Sequence, residues 1–326
     1  MESTKTRILK KLLETDGYLS GQELCEQLGV SRTAVWKYMK QLKEEGYEIE
    51  AVQNKGYCLK DVPDVLGESE IKSRLHTRWA GQTLYYYDEI DSTNTQIKRL
   101  AEEDAPHGTL AVADYQSRGK GRRGRAWDSP HGSAIYMSIL FRPEIRPDRA
   151  SMLTLVIGLS VTQAIRSNLG LQAQIKWPND VVLNGKKLVG ILTEMSAQMN
   201  YIEYLVTGIG INANLREFPE ELEDKATSLQ KEIGHKVNRS ALIAECMEKI
   251  EENYEIFVKT QDLSGLMAAY QEALVNQVRV LEPGHEYTGV ARGINAMGEL
   301  LVEKEDGTIT EVYAGEVSVR GLCGYV

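Results

Sequence analysis

The spacing of apolar residues changes three times along this chain, and no single sheet or bundle satisfies every regime. Residues 4–45 repeat at three and four: Ile8, Leu9, Leu12 and Leu13, then Leu24, Leu28, Val35, Tyr38 and Leu42. That is the stripe of an amphipathic helix. From 83 to about 215, short apolar runs alternate with helical stretches at 93–103 and 149–169. Helical spacing returns at 240–259 and 263–275, and the last fifty residues hold short strands alone. At 326 residues, with 42% hydrophobic and 26% charged, the chain can build two or three domains. The expected fold is multidomain α+β. Residues 1–62 form a helical module with a ribbon, 63–275 a central mixed α/β domain, and 276–326 a small β-barrel.

Within the first module, Ser20 can cap a helix that runs to Leu28, and Gly29 supplies a tight turn. Ser31 can cap a second helix, which Gly46 stops. Two strand-like runs follow, joined by Asn54-Lys55-Gly56, a hairpin signal. Helix, turn, helix and ribbon in this order describe a winged helix-turn-helix, whose second helix enters the major groove of DNA. Gly21, Ser31, Arg32, Thr33, Trp36, Lys37 and Lys55 are the candidate DNA contacts. The net charge of −9 argues against nucleic acid. Its distribution does not: residues 1–60 hold 10 Lys/Arg and 9 Asp/Glu, a net of +1, so the acidity lies elsewhere. A nearly neutral module binds weakly alone, so a dimer on two half-sites is expected. A small helical docking domain without DNA contact is the alternative.

In the acidic remainder, SRGKGRRGRAWDSP at 117–130 places Arg118, Lys120, Arg122, Arg123 and Arg125 within eight residues, with Gly119, Gly121 and Gly124 interleaved. Glycines let a loop close around a ligand, and cations with backbone N–H groups suit a polyanion such as a nucleotide triphosphate. The spacing satisfies G-x-G-x-x-G, but turn residues follow where a dinucleotide fold needs a helix. No Gly-Lys-Ser/Thr ends it, so it is not a P-loop. A solvated basic loop remains the bland alternative.

KWPNDVVLNGKKLVGILTE at 176–194 predicts strand, turn at Asn184-Gly185, and strand, which brings Lys187 near the 176–180 corner. By itself Lys187 could be a surface lysine whose stem snorkels along the sheet. Gly208-Ile209-Gly210-Ile211-Asn212 ends another strand and could approach a base or ribose.

Four segments in order, DSTN at 91–94, GKGRRGR at 119–125, KWPND at 176–180 with Lys187, and GIGIN at 208–212, resemble the biotin–protein ligases. With the helix-turn-helix, the chain is similar to their bifunctional form, which also represses the biotin operon. The resemblance spans essentially the whole chain. It implies an SH3-like C-terminal barrel and a two-step reaction: biotin and ATP give biotinyl-5′-AMP and pyrophosphate, and the acyl group then passes to a lysine of a biotin carboxyl carrier domain, such as that of acetyl-CoA carboxylase. It also implies that Ser92, Thr93, Asn94, Gln116, Lys120, Gly121, Arg122, Trp127, Lys187, Gly190 and Asn212 line the biotin and adenylate site. Lys187 would bridge the biotin carboxylate and the α-phosphate, and Arg122 would hold the mixed anhydride. Asp180 would orient Lys187, bind metal or cap the turn. Lys120 stands where the family more often has arginine, keeping the charge without the planar fork. Mg²⁺ with the ATP, biotinyl-AMP as corepressor, an adenylate-bound homodimer and operator DNA complete the expectation. A ligand-sensing repressor without catalysis and a lipoyl-type ligase are the competing readings.

No apolar run approaches the roughly 18 residues of a membrane span, and MESTKTRILKK has no apolar signal core. Cys25, Cys58, Cys246 and Cys323 form no C-x-x-C pair and read as reduced thiols of a cytoplasmic chain. Glu316 and Arg320 in the last module are candidates without a motif to give them a role.

Overall fold

The computed structural model describes residues 3–199, 201–282, 285–313 and 318–320. Two compact units divide the chain: residues 1–76 with 237–244, and residues 77–236 with 245–326.

The first unit is built from α1 (Thr4–Glu14), α2 (Gly21–Leu28), α3 (Arg32–Glu44), the ribbon β1 (Glu48–Val52) and β2 (Gly56–Asp61), and α4 (Glu68–Lys72). The caps are those the sequence predicts. Ser20 Oγ accepts from Glu23 N, and Ser31 Oγ accepts from Ala34 N. Gly29 takes the left-handed conformation that ends α2. Ile8, Leu9, Leu12, Leu24, Val35, Met39 and Leu42 bury the shared helical face against Tyr47 and Ile49. Gly56 is required: a methyl group there would stand 2.2 Å from Leu19 O, and Leu19 pairs with Tyr57 to widen the ribbon. The unit continues past residue 62. Asp64 accepts from the backbone N and the Nε of Arg239, each at 2.9 Å, so the start of a distant helix is bonded into it.

The second unit holds β3 (Leu84–Ile90), α5 (Thr93–Glu102), β4 (Leu110–Gln116), β5 (Ile135–Phe141), α6 (Met152–Leu169), β6 (Gln174–Lys176), β7 (Asp180–Leu183), β8 (Lys186–Gln198) and β9 (Tyr201–Ile211). The seven strands make one sheet in the order β3-β4-β5-β9-β8-β7-β6. Only β3 and β4 run parallel, with α5 as the crossover; the other pairs are antiparallel. Every residue of β5 is buried, as a central strand requires. Among the described residues one helical stretch, Pro147–Leu169, is long and apolar enough to cross a membrane by length and composition, and 72% of its most apolar window is buried inside the fold. It is a core helix laid on the sheet: twelve of its residues between Met152 and Ile165 are buried.

Then follow α7 (Glu220–Glu223), α8 (Leu229–Ile233), α9 (Arg239–Thr260) and α10 (Met267–Ala273). The C-terminal strands β10 (Gln277–Glu282), β11 (His285–Ile294), β12 (Leu300–Glu303), β13 (Ile309–Val312) and β14 (Ser318–Arg320) form an antiparallel sheet in the order β13-β12-β11-β10-β14. Among the described residues this order is open, so the barrel expected from the sequence is present as a five-stranded sheet. Trp177 Nε1 donates to Gly298 O at 3.1 Å, tying the KWPND corner to the β11–β12 turn. Glu316 and the side chain of Arg320 lie outside the described residues.

Candidate active site

Three glycines on neighbouring strands form the floor. Gly190 of β8 and Gly210 of β9 are register partners. A methyl group on either would lie 2.6 or 2.7 Å from ring atoms of Trp127, so the indole rests flat on bare backbone. Two residues along β9, Gly208 leaves room for Asn94, whose Oδ1 would be 2.1 Å from a methyl group there. Alternation along a strand puts 208 and 210 on one face. The period-two glycines of GIGIN are thus a signal that the sequence already carries.

The cationic segment forms a narrow hairpin. Trp127 N donates to Gly119 O at 3.0 Å, Lys120 bridges Ala126, and Gly121 N donates to Arg125 O at 2.7 Å. A short 3-10 turn, Arg122–Gly124, makes the tip, with Arg123 and Gly124 at φ 57° and 74°. Of the five cations, Arg122 is half-buried, and its Nη1 donates to Asn179 Oδ1 at 2.5 Å. Burial, reinforced by Arg123, pulls its pKa down from the usual arginine value, and Asp180 opposes the shift. Lys120 Nζ donates to Thr95 Oγ1 at 3.0 Å. Arg118, Arg123 and Arg125 are exposed.

Lys187 lies 2.7 Å from Asp180 Oδ1, and its ammonium sits 5.4 Å from the Trp127 ring centroid. The β7–β8 turn brings lysine and KWPND corner together, as the spacing predicts. Asn179 Nδ2 donates to Asp180 Oδ1 at 3.1 Å. One corner therefore gathers Arg122, Asn179, Asp180, Lys187 and Trp127. Asn179 lies within the KWPND motif but is given no role of its own by the sequence. Trp127 Nε1 is buried with no acceptor among the described residues.

At the other end, the DSTN segment opens α5. Thr93 N and Oγ1 both donate to Gln116 Oε1, at 2.9 and 3.1 Å, and Gln116 Nε2 donates to Ser129 Oγ at 3.1 Å. Ser129 Oγ donates in turn to Trp127 O at 3.0 Å, linking this end to the hairpin. Ser92, Thr93, Asn94 and Gln116 are all buried. Asn94 Nδ2 donates to Glu194 Oε2 at 2.8 Å and its Oδ1 accepts from Ser138 Oγ at 2.6 Å. Glu194, Ser138 and Ser129 are partners no motif announced. Asn212 is further away in role: its Nδ2 donates to Thr227 O at 3.1 Å, holding the 225–229 segment that also pairs with Lys187.

In the first unit, Ser31, Arg32, Thr33, Trp36 and Lys37 are all exposed. Spacings of four put Arg32 with Trp36, and Thr33 with Lys37, on one side of α3. Trp36 is 60% exposed, too much for a core residue. Lys55 at the ribbon tip lies 5.5 Å over the Tyr18 ring. Gly21 is half-buried, with the Tyr57 ring 3.6 Å from where a methyl group would be.

The chain matches the biotin/lipoate A/B protein ligase family over residues 86–212, an HTH domain over 4–58 and the biotin protein ligase C-terminal domain over 276–320. It is 40% identical over 325 residues to the bifunctional ligase/repressor BirA of Bacillus spizizenii, covering 98% of this chain and 100% of that one. To the Escherichia coli protein of the same description it is 32% identical over 313 residues, 95% of each. A solved structure of the Aquifex aeolicus biotin protein ligase, in complex with biotin and ATP, is similar with a TM-score of 0.63 at 34% identity, over 74% of this chain and 99% of that one. Collinear from the helix-turn-helix to the last sheet with ligases that are also repressors, the chain belongs to the biotin protein ligase family in its bifunctional ligase/repressor form.

Proposed function

We propose that this chain joins biotin to ATP as biotinyl-5′-AMP, transfers the biotinyl group to a lysine of a biotin carboxyl carrier domain, and represses biotin genes in response to the adenylate. The observation that carries the catalytic half is the convergence of Lys187, Asp180, Asn179, Arg122 and Trp127 on a glycine floor. A carboxylate and a triphosphate repel one another, and fixed cations offset that repulsion where the bond forms. The carboxylate oxygen attacks the α-phosphorus and pyrophosphate leaves. Lys187 neutralises the developing charge, with Asp180 aiming its ammonium. Arg122, braced by Asn179, holds the mixed anhydride. The carrier lysine then attacks the acyl carbon and AMP leaves.

Mg²⁺ would arrive with the ATP. Among the described residues there is no group of three or more His, Cys, Asp or Glu that could cage it. Asp180 offers one carboxylate, which fits an ion held mainly by phosphate oxygens. It would supply charge neutralisation at the phosphates. Trp127, whose indole N–H is buried with no acceptor among the described residues, offers its ring face for stacking on adenine, and an acceptor on the ligand would satisfy the N–H.

The exposed face of α3 supports operator binding through Arg32, Thr33, Trp36 and Lys37. A hairpin ordered by the adenylate would complete a dimer surface, and the dimer would bind two half-sites. This reading sets the chain to work in the cytoplasm, alongside operator DNA and carrier domain. Incorporation of labelled biotin into a carrier domain, with and without ATP, tests it directly: no ATP-dependent label ends the ligase reading. Competition of lipoate against biotin separates it from a lipoyl-type ligase. Biotin-dependent release of pyrophosphate separates it from a ligand-sensing repressor.

A further inference from the structure

On the outer face of α3 an indole stands among cations. Trp36 is 60% exposed. Residues three and four apart share a helix face, so Arg32, Thr33 and Lys40 flank it, with Lys37 beside them, and all four are exposed. The helix carries no acid before Glu44, which lies 3.6 Å from Lys40. Ser31 caps the helix through its hydroxyl, so this half also bears the positive end of the helix dipole. A tryptophan framed in this way on the second helix of a helix-turn-helix faces a polyanion whose grooves hold base edges.

The major groove limits what an indole can touch there. Its base edges are donors and acceptors, apart from one apolar group, the thymine C5 methyl. A ring pressed onto any other edge strips water from polar atoms without replacing their hydrogen bonds. Indole has one donor, Nε1–H, and no acceptor. Thymine is the base whose major-groove edge joins an acceptor, O4, to an apolar group. Guanine offers acceptors without a methyl group, and adenine and cytosine each present a donor that indole cannot accept.

We propose that Trp36 is a specificity-determining residue that reads one thymine in each operator half-site through the C5 methyl group. This rests on the repressor reading above and adds to it the base that the helix selects. Arg32, Lys37 and Lys40 then hold phosphates, which fix register without carrying sequence. Thr33, three residues before Trp36, brings a methyl group of its own, so the test has to separate the two side chains.

Full-length protein loaded with biotinyl-AMP is used to select duplexes from a random-sequence pool. Each thymine of the selected duplex is then replaced in turn by deoxyuridine, which keeps O4 and the base pair and removes only the methyl group. At one thymine per half-site the wild-type affinity is expected to fall about fourfold, the worth of one buried methyl group. With Trp36→Ala the thymine and deoxyuridine duplexes should bind alike at that position, and the pool should no longer yield thymine there. Thr33→Ser, whatever it does to overall affinity, should keep the fourfold ratio. If Trp36→Ala does not fold, Trp36→Gln repeats the comparison with a good helix former that has no ring. The proposal is overturned if no thymine can be replaced at a cost to wild-type binding. It is equally overturned if the ratio survives the loss of Trp36 or disappears in Thr33→Ser. Wild-type protein that selects no sequence while still joining biotin to a carrier domain would instead bring down the repressor reading, and this proposal with it.

Discussion

At Gly208 the whole cost of a side chain is visible in one distance: a methyl group would meet Asn94 Oδ1 at 2.1 Å. Gly208→Ala should therefore weaken biotin binding and lower stability by about 1–3 kcal/mol, read as a raised biotin KM and a lower melting temperature in the same preparation. Lys187 makes the opposite case. Its side chain is 24% exposed and its ion pair is at the site's edge, so Lys187→Ala should cut adenylate formation about 10²-fold or more with little change in melting temperature. Parallel loss of helicity and activity would show that the lysine is structural. His107 tests the packing of the core. Burial, aided by Arg142, pushes its pKa down from 6.5 to about 4, and its Nδ1 accepts from Arg142 N. The unfolded chain binds the proton more readily, so this contribution to stability is complete above pH 6.5. It is lost as the pH falls toward 4. Melting temperatures measured between pH 7 and 4 should fall less steeply in His107→Gln, which has no charge to gain.

The elements divide sharply in how legible they were. Helices α2 and α3 were predicted with their caps, and α1 from its stripe alone, because the cap residue, the apolar stripe and the stopping glycine are all local; the α1 cap, Ser3, was not foreseen. The long strands of the central sheet were legible for the same reason. β6 was not, being three residues long; it exists because β7 pairs with it. The cationic loop reads as a ligand loop from its glycines and charge. That it is a paired hairpin, with Trp127 N donating to Gly119 O and Arg122 turned inward onto Asn179, follows from contacts the local sequence does not spell out. Because Arg122 alone of the five cations is half-buried and braced, Arg122→Ala should speed release of biotinyl-AMP, measured by chasing labelled intermediate. Arg123→Ala, at the exposed tip, should leave release near the wild-type rate.

For the whole molecule the question is how ligation and repression share one chain. Adenylate is expected to shift sedimentation toward a dimer at micromolar protein, where biotin alone does less; identical profiles would break the link between hairpin order and assembly. Arg32→Ala with Thr33→Ala should abolish operator binding and leave ligation intact, since both residues are exposed on α3 in the first unit. The chain by itself determined the three-part organisation, the helix caps, the positions of the cations and the family, because propensity, periodicity and motif order are written along the backbone. Only the tertiary structure decided which residues meet: that Asn179 braces Arg122, that Glu194 faces Asn94 from a strand one hundred residues away, and that three glycines from two strands make one floor. Those contacts depend on sheet register, and register is set by burial of a whole face at once rather than by any local run of residues.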